Sequence, residues 1–596
     1  MKDEGRVRLA EPADAQAAPL RYEIDGRVGL VKIDHAISTQ GVTFVAGWTS
    51  DGSLLVELAS ASGVTGADLV RTVRDDVASG LRQPATNRHG FVLIATPPPD
   101  EPLNICFGQQ EARFCLPLTV IENFQLDARI SCAPGTFAAL SARRVGSRDW
   151  RLFLSLLPER ETSGLIVEGI IDVAYSSPVE ANGFAQGWVT HKPDTLVWIE
   201  DDQGRAHDLE EGYRWVRRDV RSQIHHLPGP GQETGFHLRT RFHPEARSIR
   251  LAAANKDGSQ RLAARPVSHL PFEAKEVVAA LAEATTPRHD LPARIRRVDL
   301  PVLAAARASE REVWASAEIR ERMVGSVPSN PTVSLIVPLY GRVDFIEHQL
   351  LEFDRDPAFI QDVEIIYVLD DPDLENPLHF DAHRMQAVSG PGFRWVTTGE
   401  NRGFSGANNL GASVARGRVL CFMNSDVFPL APGWAIHLAE VLDRHGDLGM
   451  LAPRLIFPNG SIQHVGMVAR WRPEWQLFTN HHPSMGMPTS ADPSHGLTRV
   501  PLVTGACVAL PREVFERIGG WDEGYISGDF EDSDLCFRVR DIGRTVGYDP
   551  RVELLHLERQ SVELTSDDAL LKERMTLLNA CRYNQHWHEQ VREIAE

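Results

Sequence analysis

Between Val333 and Asp426, short apolar runs alternate with helix-like stretches, and every run ends in polar groups. Val333–Val337 is stopped by Pro338 and followed by Leu339-Tyr340. Val363–Leu369 ends in Asp370-Asp371, and Val419–Met423 ends in Asn424-Ser425-Asp426. Apolar runs of this length, bounded by breakers, read as buried strands. Val343–Phe353 reads as a crossover helix. A second helix over Phe404–Ala415 carries Ala407, Leu410, Gly411 and Val414 on one face. Strand and helix in alternation imply a parallel, right-handed, doubly wound sheet. Ligands of such sheets collect at the carboxyl ends of the strands. The polar groups of all three strands are delivered to that one edge.

The edge suits a nucleotide diphosphate. Tyr340 can pack on a base, and Asp370 or Asp371 can accept from a base N–H or from ribose hydroxyls. Asp426 can hold a hard divalent cation, which takes carboxylate and phosphate oxygens together. The structural alternative for Asp426 is that it ends a strand or caps the helix that starts near Pro432. No GxxxxGK[ST] loop is present, so this is not a P-loop. Gly399-Glu-Asn-Arg-Gly-Phe-Ser-Gly406 is glycine-rich but lacks dinucleotide-binding spacing.

Further along, five carboxylates crowd between Asp522 and Asp532. Such crowding raises the pKa of a member, which suits a general base. Asp534 is a rival for that role, and helix capping by Asp529 or Asp532 is the structural alternative.

The N-terminal half reads differently. Val31-Lys-Ile-Asp34 is echoed by Gly169-Ile-Ile-Asp172, and Ala46-Gly-Trp48 by Gln186-Gly-Trp188. Arg74-Asp-Asp-Val77 is echoed by Arg217-Arg-Asp-Val220, and Gly90-Phe91 by Gly235-Phe236. Four landmarks in the same order, at a slowly growing offset, point to an internal duplication. Short strand-like runs punctuated by Gly, Asn, Asp and Pro point to antiparallel β-sandwiches. The tryptophan of each Gly-Trp pair is expected in the core, with a sugar-stacking platform as the alternative. The expected division is a first sandwich over 1–150, a second over 151–270, a partly helical linker over 271–330 and the α/β domain over 331–596.

At 596 residues the chain exceeds one core. A net charge of −19 argues against general nucleic-acid binding, which needs a basic face. Seven scattered cysteines without CxxC or zinc spacing predict reduced thiols and a cytoplasmic protein. Met1–Gly5 has no apolar stretch behind it and is not read as a signal peptide. No apolar run reaches the roughly 18 residues of a membrane span.

The segment from about Pro331 to Tyr583 resembles a family 2 glycosyltransferase of the GT-A fold, similar to rhamnosyl- and galactofuranosyl-type enzymes of surface polysaccharide assembly. The resemblance rests on an ordered set of motifs. These are Val337-Pro-Leu-Tyr340, Asp370-Asp371, Asn401-Arg-Gly-Phe-Ser-Gly-Ala-Asn-Asn-Leu-Gly411 and Asn424-Ser-Asp426. Asn459-Gly-Ser-Ile-Gln-His-Val-Gly466, Thr504-Gly-Ala506, Gly519-Gly-Trp-Asp-Glu523, Glu531-Asp-Ser-Asp534 and His556 followed by Ser561 complete it.

The resemblance implies an inverting, metal-dependent transferase using Mn2+ or Mg2+. Asp426 would take the place of the last Asp of a DxD motif, with Asn424 as its departing first member, and His556 would add a metal contact. Asp532 would be the base, and Glu531 would orient the acceptor. Pro338, Tyr340, Asp370, Asp371, Asn401, Gly403, Asn408, Asn424, Thr504 and Gly505 would line the site of a nucleotide diphosphate sugar. The acceptor would be a glycan or lipid-linked sugar at the inner face of the plasma membrane. The segment from Leu564 onward, through Leu570, Met575, Leu578 and Trp587, is expected as a C-terminal helix whose apolar positions are core, with closure over the sheet or contact with a membrane surface as the alternatives. Two other functions are weighed: a carbohydrate-binding protein with a degenerate transferase domain, and a sugar nucleotidyltransferase, for which Gly341-Arg342 is a poor substitute for the required glycine-rich, lysine-bearing loop.

Overall fold

The computed structural model describes residues 8–9, 15–24, 27–39, 42–72, 74–81, 88–95, 101–109, 112–120, 126–159, 165–177, 181–223, 233–557 and 569–595. Ser561 and Leu564, which the sequence singled out, lie outside them. The chain divides into two compact units, 1–268 and 269–596.

The N-terminal unit holds two sandwiches. In the first, the main sheet runs through Leu20–Ile24, Arg27–Thr39, Val42–Thr49, Gly90–Ala95 and Ala67–Thr72, facing Ala112–Pro117, Asn104–Gln109, Leu55–Ser60 and Gly63–Thr65. In the second, Ile166–Ser176, Gly183–His191, Gly235–Thr240 and Tyr213–Trp215 face Ala206–Asp208, Leu196–Asp201, Ser248–Asn255 and Gly258–Arg261.

The recurring landmarks have physical jobs, and the jobs match. Asp34 and Asp172 each sit in a β-bulge of the first long hairpin. Each accepts an ion pair from the recurring arginine, Arg74 at 2.8 Å and Arg217 at 2.9 Å. A Cβ on Gly47 would lie 2.8 Å from the Phe91 ring, and one on Gly187 would lie 2.7 Å from the Phe236 ring, so each glycine leaves room for the next landmark's phenylalanine. The tryptophans do not fill the cores as expected. Trp48 is half-buried, and Trp188 packs apart with Val220, while Phe91, Phe107 and Phe114 fill one sandwich and Phe236 and Phe242 the other.

Two expectations are corrected in this unit. The boundary at residue 150 falls inside a helix, Arg148–Leu156, which with Leu126–Ser141 packs a core of its own against both sandwiches through Trp150 and Trp198, at 5.0 Å and nearly perpendicular. The cysteines are not uniformly reduced: Cys106 and Cys115 form a disulfide. They are directly opposed across one hairpin, which a spacing of nine residues does not announce. Cys421, Cys507, Cys536 and Cys581 are buried free thiols.

In the C-terminal unit the segment expected as a linker is structural. Helices α1 (Ala274–Glu283) and α2 (Leu300–Ser316) bury Val277, Leu281, Val302 and Trp314. The later part of that expected linker forms strand β1 (Arg320–Val324) at the edge of the main sheet. The other strands are β2 (Val333–Leu339), β3 (Val363–Leu369), β4 (Phe393–Thr397), β5 (Val419–Met423), β6 (Val427–Pro429), β7 (Leu448–Ile456), β8 (Cys507–Pro511) and β9 (Thr545–His556). Their order is β1-β4-β3-β2-β5-β8-β7-β9-β6.

The sheet is parallel from β4 through β3 and β2 to β5, as expected. It then turns mixed: β8 runs antiparallel to β5, and β9 runs parallel to β7. Pro338 does not stop β2, which continues through it to Leu339. Strands β2, β3 and β5 are nearly continuously buried, because helices α3 (Phe345–Phe353), α4 (Glu375–Ser389), α5 (Gly403–Val414) and α6 (Trp434–Arg444) cover the sheet. At Gly411 of α5 a Cβ would come within 2.4 Å of Ile336 Cγ2, so the glycine lets helix and sheet meet flush. Helices α7 (Glu531–Asp541) and α8 (Ala569–Glu593) complete the unit.

Candidate active site

The carboxyl ends of β2, β3 and β5 form one edge, and hydrogen bonds of the polar residues tie its loops together. Asp370 is buried and accepts the Arg402 N–H at 2.7 Å. Burial raises its pKa well above the carboxylate range, against the pull of the Arg402 and Gly403 N–H groups. Asp371 accepts from Gly341 N–H and Asp373 N–H, both at 3.1 Å. Both aspartates therefore shape the loops that carry Tyr340 and Asn401 rather than standing free. Asn401 accepts the Gly403 N–H at 3.0 Å, and Gly403 takes a φ of 67°, open to glycine. Asn408 is buried and donates to the Phe404 carbonyl, leaving its own oxygen without a partner.

Sequence reasoning missed its neighbour. Asn409 accepts the Trp521 N–H at 2.9 Å and donates to the Trp521 carbonyl and to Glu523, so it ties α5 to the Gly519–Glu523 turn. The doubled asparagine was the available signal. It also missed Arg402, whose guanidinium turns back to Thr398 and the Trp314 carbonyl and so docks α2 behind the edge.

The metal candidates meet. Asp426 and His556 are both buried, with Oδ1 and Nε2 3.2 Å apart. They are brought together because β6 follows Asp426 directly and Val427 pairs with His556. Gln463 Oε1 lies 2.6 Å from His556 Nδ1, and an Nδ1 proton donated across that contact would leave Nε2 towards Asp426 as a metal ligand. An imidazole with its far nitrogen fixed in this way, beside a carboxylate, is a fit donor set for a divalent ion that also takes diphosphate oxygens. The structural alternative, helix capping, fails for Asp426, since Gly433 is the residue capping α6. Among the described residues, one grouping of three potential ligands also occurs, Asp522, Asp534 and His586. Its carboxylates are already neutralised by Arg582 at 2.6 Å and Arg538 at 2.7 Å.

Asp532 sits in the first turn of α7. Its Oδ2 accepts the Gly505 N–H at 3.0 Å and its Oδ1 accepts the Ser533 N–H at 2.7 Å. Burial pushes its pKa up to about 6, with those two N–H groups holding it back and Asp529 adding to the rise. Glu531 is buried, and burial followed by the Asp532 charge drives its pKa well up. Its Oε2 has no partner. The rival Asp534 is consumed by Arg538 and Trp587 Nε1, each at 2.7 Å. Neither Asp529 nor Asp532 is the cap of α7, a position taken by Phe530.

The segment Thr504–Ala506 joins the two halves of the site. Asn424 donates its N–H to the Ala506 carbonyl at 2.9 Å, and the next residue back, Gly505, holds Asp532. Thr504 Oγ1 accepts the Ala506 N–H at 3.3 Å and shapes the turn. A Cβ on Gly505 would lie 3.2 Å from Trp521 and 3.3 Å from the Asp532 Cβ, so the position is tight.

Residues 334–519 match the family described as Glycosyl transferase family 2. The chain is 29% identical over 266 residues to the O-antigen biosynthesis protein RfbC of Myxococcus xanthus, covering 43% of this chain and 20% of that protein. It is 24% identical over 168 residues to the low-salt glycan biosynthesis hexosyltransferase Agl10 of Haloferax volcanii, covering 27% of this chain and 51% of the relative. The chain thus spans a fifth and about half of the lengths of these two relatives. Among solved structures, GalNAc-T7 with UDP, GalNAc and Mn2+ aligns at 16% identity and a TM-score of 0.33, over 44% of this chain and 50% of that one. The α/β sheet, the ordered motifs at its edge and the family match coincide: the C-terminal half of this chain carries a glycosyl transferase family 2 domain.

Proposed function

We propose that the protein transfers a sugar from a nucleotide diphosphate sugar to a hydroxyl of a glycan or lipid-linked acceptor, with inversion, in the assembly of a surface polysaccharide. The observation that carries this is the placement of Asp532 one residue from the backbone that anchors the Asn424–Asp426 turn, so that a base and a cation site share one loop. Asp426 and His556 would hold Mn2+ or Mg2+, with Asn424 beside them. The ion would offset charge on the diphosphate. Tyr340, and the loops that Asp371 and Asp370 shape at Gly341 and Asn401–Gly403, would receive the nucleotide. The relatives' names, O-antigen and glycan biosynthesis, support the substrate class.

The chain's own chemistry is proton transfer. With a pKa of about 6, the Asp532 carboxylate is ionised at neutral pH and still basic enough to take an acceptor hydroxyl proton as the new bond forms. Glu531, whose pKa burial drives well up, would orient the acceptor beside Asp532. A single displacement from the face opposite the diphosphate inverts the anomeric centre. Proton NMR of the product, formed from a donor of known anomeric configuration, tests this. Inversion is expected, and a product that keeps the donor's configuration refutes the mechanism.

A further inference from the structure

The turn that leads into Glu531 and Asp532 is held in a conformation that its residues do not choose. Ser527, Gly528, Asp529 and Phe530 have consecutive positive φ values of 59°, 99°, 73° and 74°. Side chains of L-residues disfavour this region, and such strain persists where the surroundings over-determine it. The restraint comes from α8. The Asn579 amide accepts the Ile526 N–H at 3.0 Å and donates to the Ile526 carbonyl at 2.9 Å and the Gly528 carbonyl at 2.6 Å. Thr576, one turn earlier, donates its hydroxyl to Asp529 at 2.8 Å. Tyr583, one turn later, lays its ring 5.2 Å from that of Phe530. Residues three and four apart share a helix face, so one face of α8 grips the turn. Asn579 is buried and spends its amide on the turn, although asparagine is a poor helix former.

We infer that Asn579 is a positioning residue for the Glu531–Asp532 pair: it clamps the left-handed turn whose exit sets Asp532 against Gly505. The inference rests on Asp532 being the base. The turn precedes the carboxylate that must meet the acceptor, and among the described residues no bond from within the turn replaces those that Asn579 makes to its backbone carbonyls and N–H. Loosening the clamp would leave the edge of β2, β3 and β5, and therefore donor binding, as it is.

The test compares wild type, Asn579→Ala, Asn579→Asp and Asp532→Asn in the full chain. In Asn579→Ala, amide hydrogen exchange over 526–532 should quicken by about tenfold, with the core strands unchanged. The kcat should fall about 10- to 100-fold while the donor KM stays within about twofold. Asn579→Asp, which keeps the volume but loses both donations, should show the same pattern and carries the test if the alanine variant does not fold. Unchanged exchange overturns the clamp. Quickened exchange with unchanged kcat, or kcat and donor binding lost together with thermal stability, overturns the positioning role. Asp532→Asn that remains active would instead remove the base on which the inference rests, and the exchange result would still report on the clamp separately.

Discussion

At the scale of single residues, two aspartates in the first turn of α7 differ in what already holds them. Asp532 is held by two backbone N–H groups, whereas Asp534 is locked by Arg538 and Trp587. Asp532→Asn should lower kcat by about a thousandfold, within the range for loss of a general base, with little change in donor binding. The kcat/KM of the wild type should fall below pH about 6, where Asp532 is protonated. The same shift has a stability consequence. A carboxyl whose folded pKa is raised binds more protons folded than unfolded, so its contribution favours folding at low pH and is lost as pH rises through about 6. Asp532→Asn should therefore raise the melting temperature at pH 7.5 and raise it less at pH 4.5, the opposite of its effect on rate. A melting temperature that falls at pH 7.5 would contradict the buried-charge account. The acid cluster was legible in sequence because carboxylates rarely crowd without cause. Which one is spent was not, because Trp587 and Arg582 arrive from a helix far along the chain. For the same reason the doubled asparagine was read at Asn408, while Asn409 makes the long-range bonds.

At the scale of elements, strands β2, β3 and β5 were legible because full burial makes a strand a continuous apolar run. The passage of β2 through Pro338 and the antiparallel entry of β8 were not, since sequence shows a strand's burial but not its direction. Helix α2 falls within the segment expected as a partly helical linker, because the groups it serves, Arg402 and the loop after β4, lie far along the chain. Helix α5 was legible as a face of small residues, and its fit can be tested. Gly411→Val places a branched side chain where even a Cβ would lie 2.4 Å from Ile336 and 2.8 Å from Val368. Overpacking of this kind should cost about 1–3 kcal/mol in urea unfolding. A variant as stable as wild type would mean that α5 rides further from the sheet.

At the scale of the molecule, the units at 1–268 and 269–596 each enclose their own cores. The matched bulges, ion pairs and glycine–phenylalanine contacts of the two sandwiches explain why those landmarks stood out in sequence, while the intervening helices and the Cys106–Cys115 bond left no pattern to read. Residues 269–596 expressed alone should fold cooperatively and bind donor as the full chain does, checked by thermal melting and calorimetry. No helix among the described residues is long and apolar enough to cross a membrane. On the proposed function, Asp426 and His556 form a cation site for a nucleotide diphosphate sugar. Titration calorimetry of UDP-, dTDP- and GDP-sugars, with and without Mn2+, for wild type and Asp426→Ala, tests it most directly. One nucleotide class should bind only with Mn2+ and lose that binding in the variant. Folded protein that binds none of them, or binds one equally well without metal or in Asp426→Ala, would contradict the account.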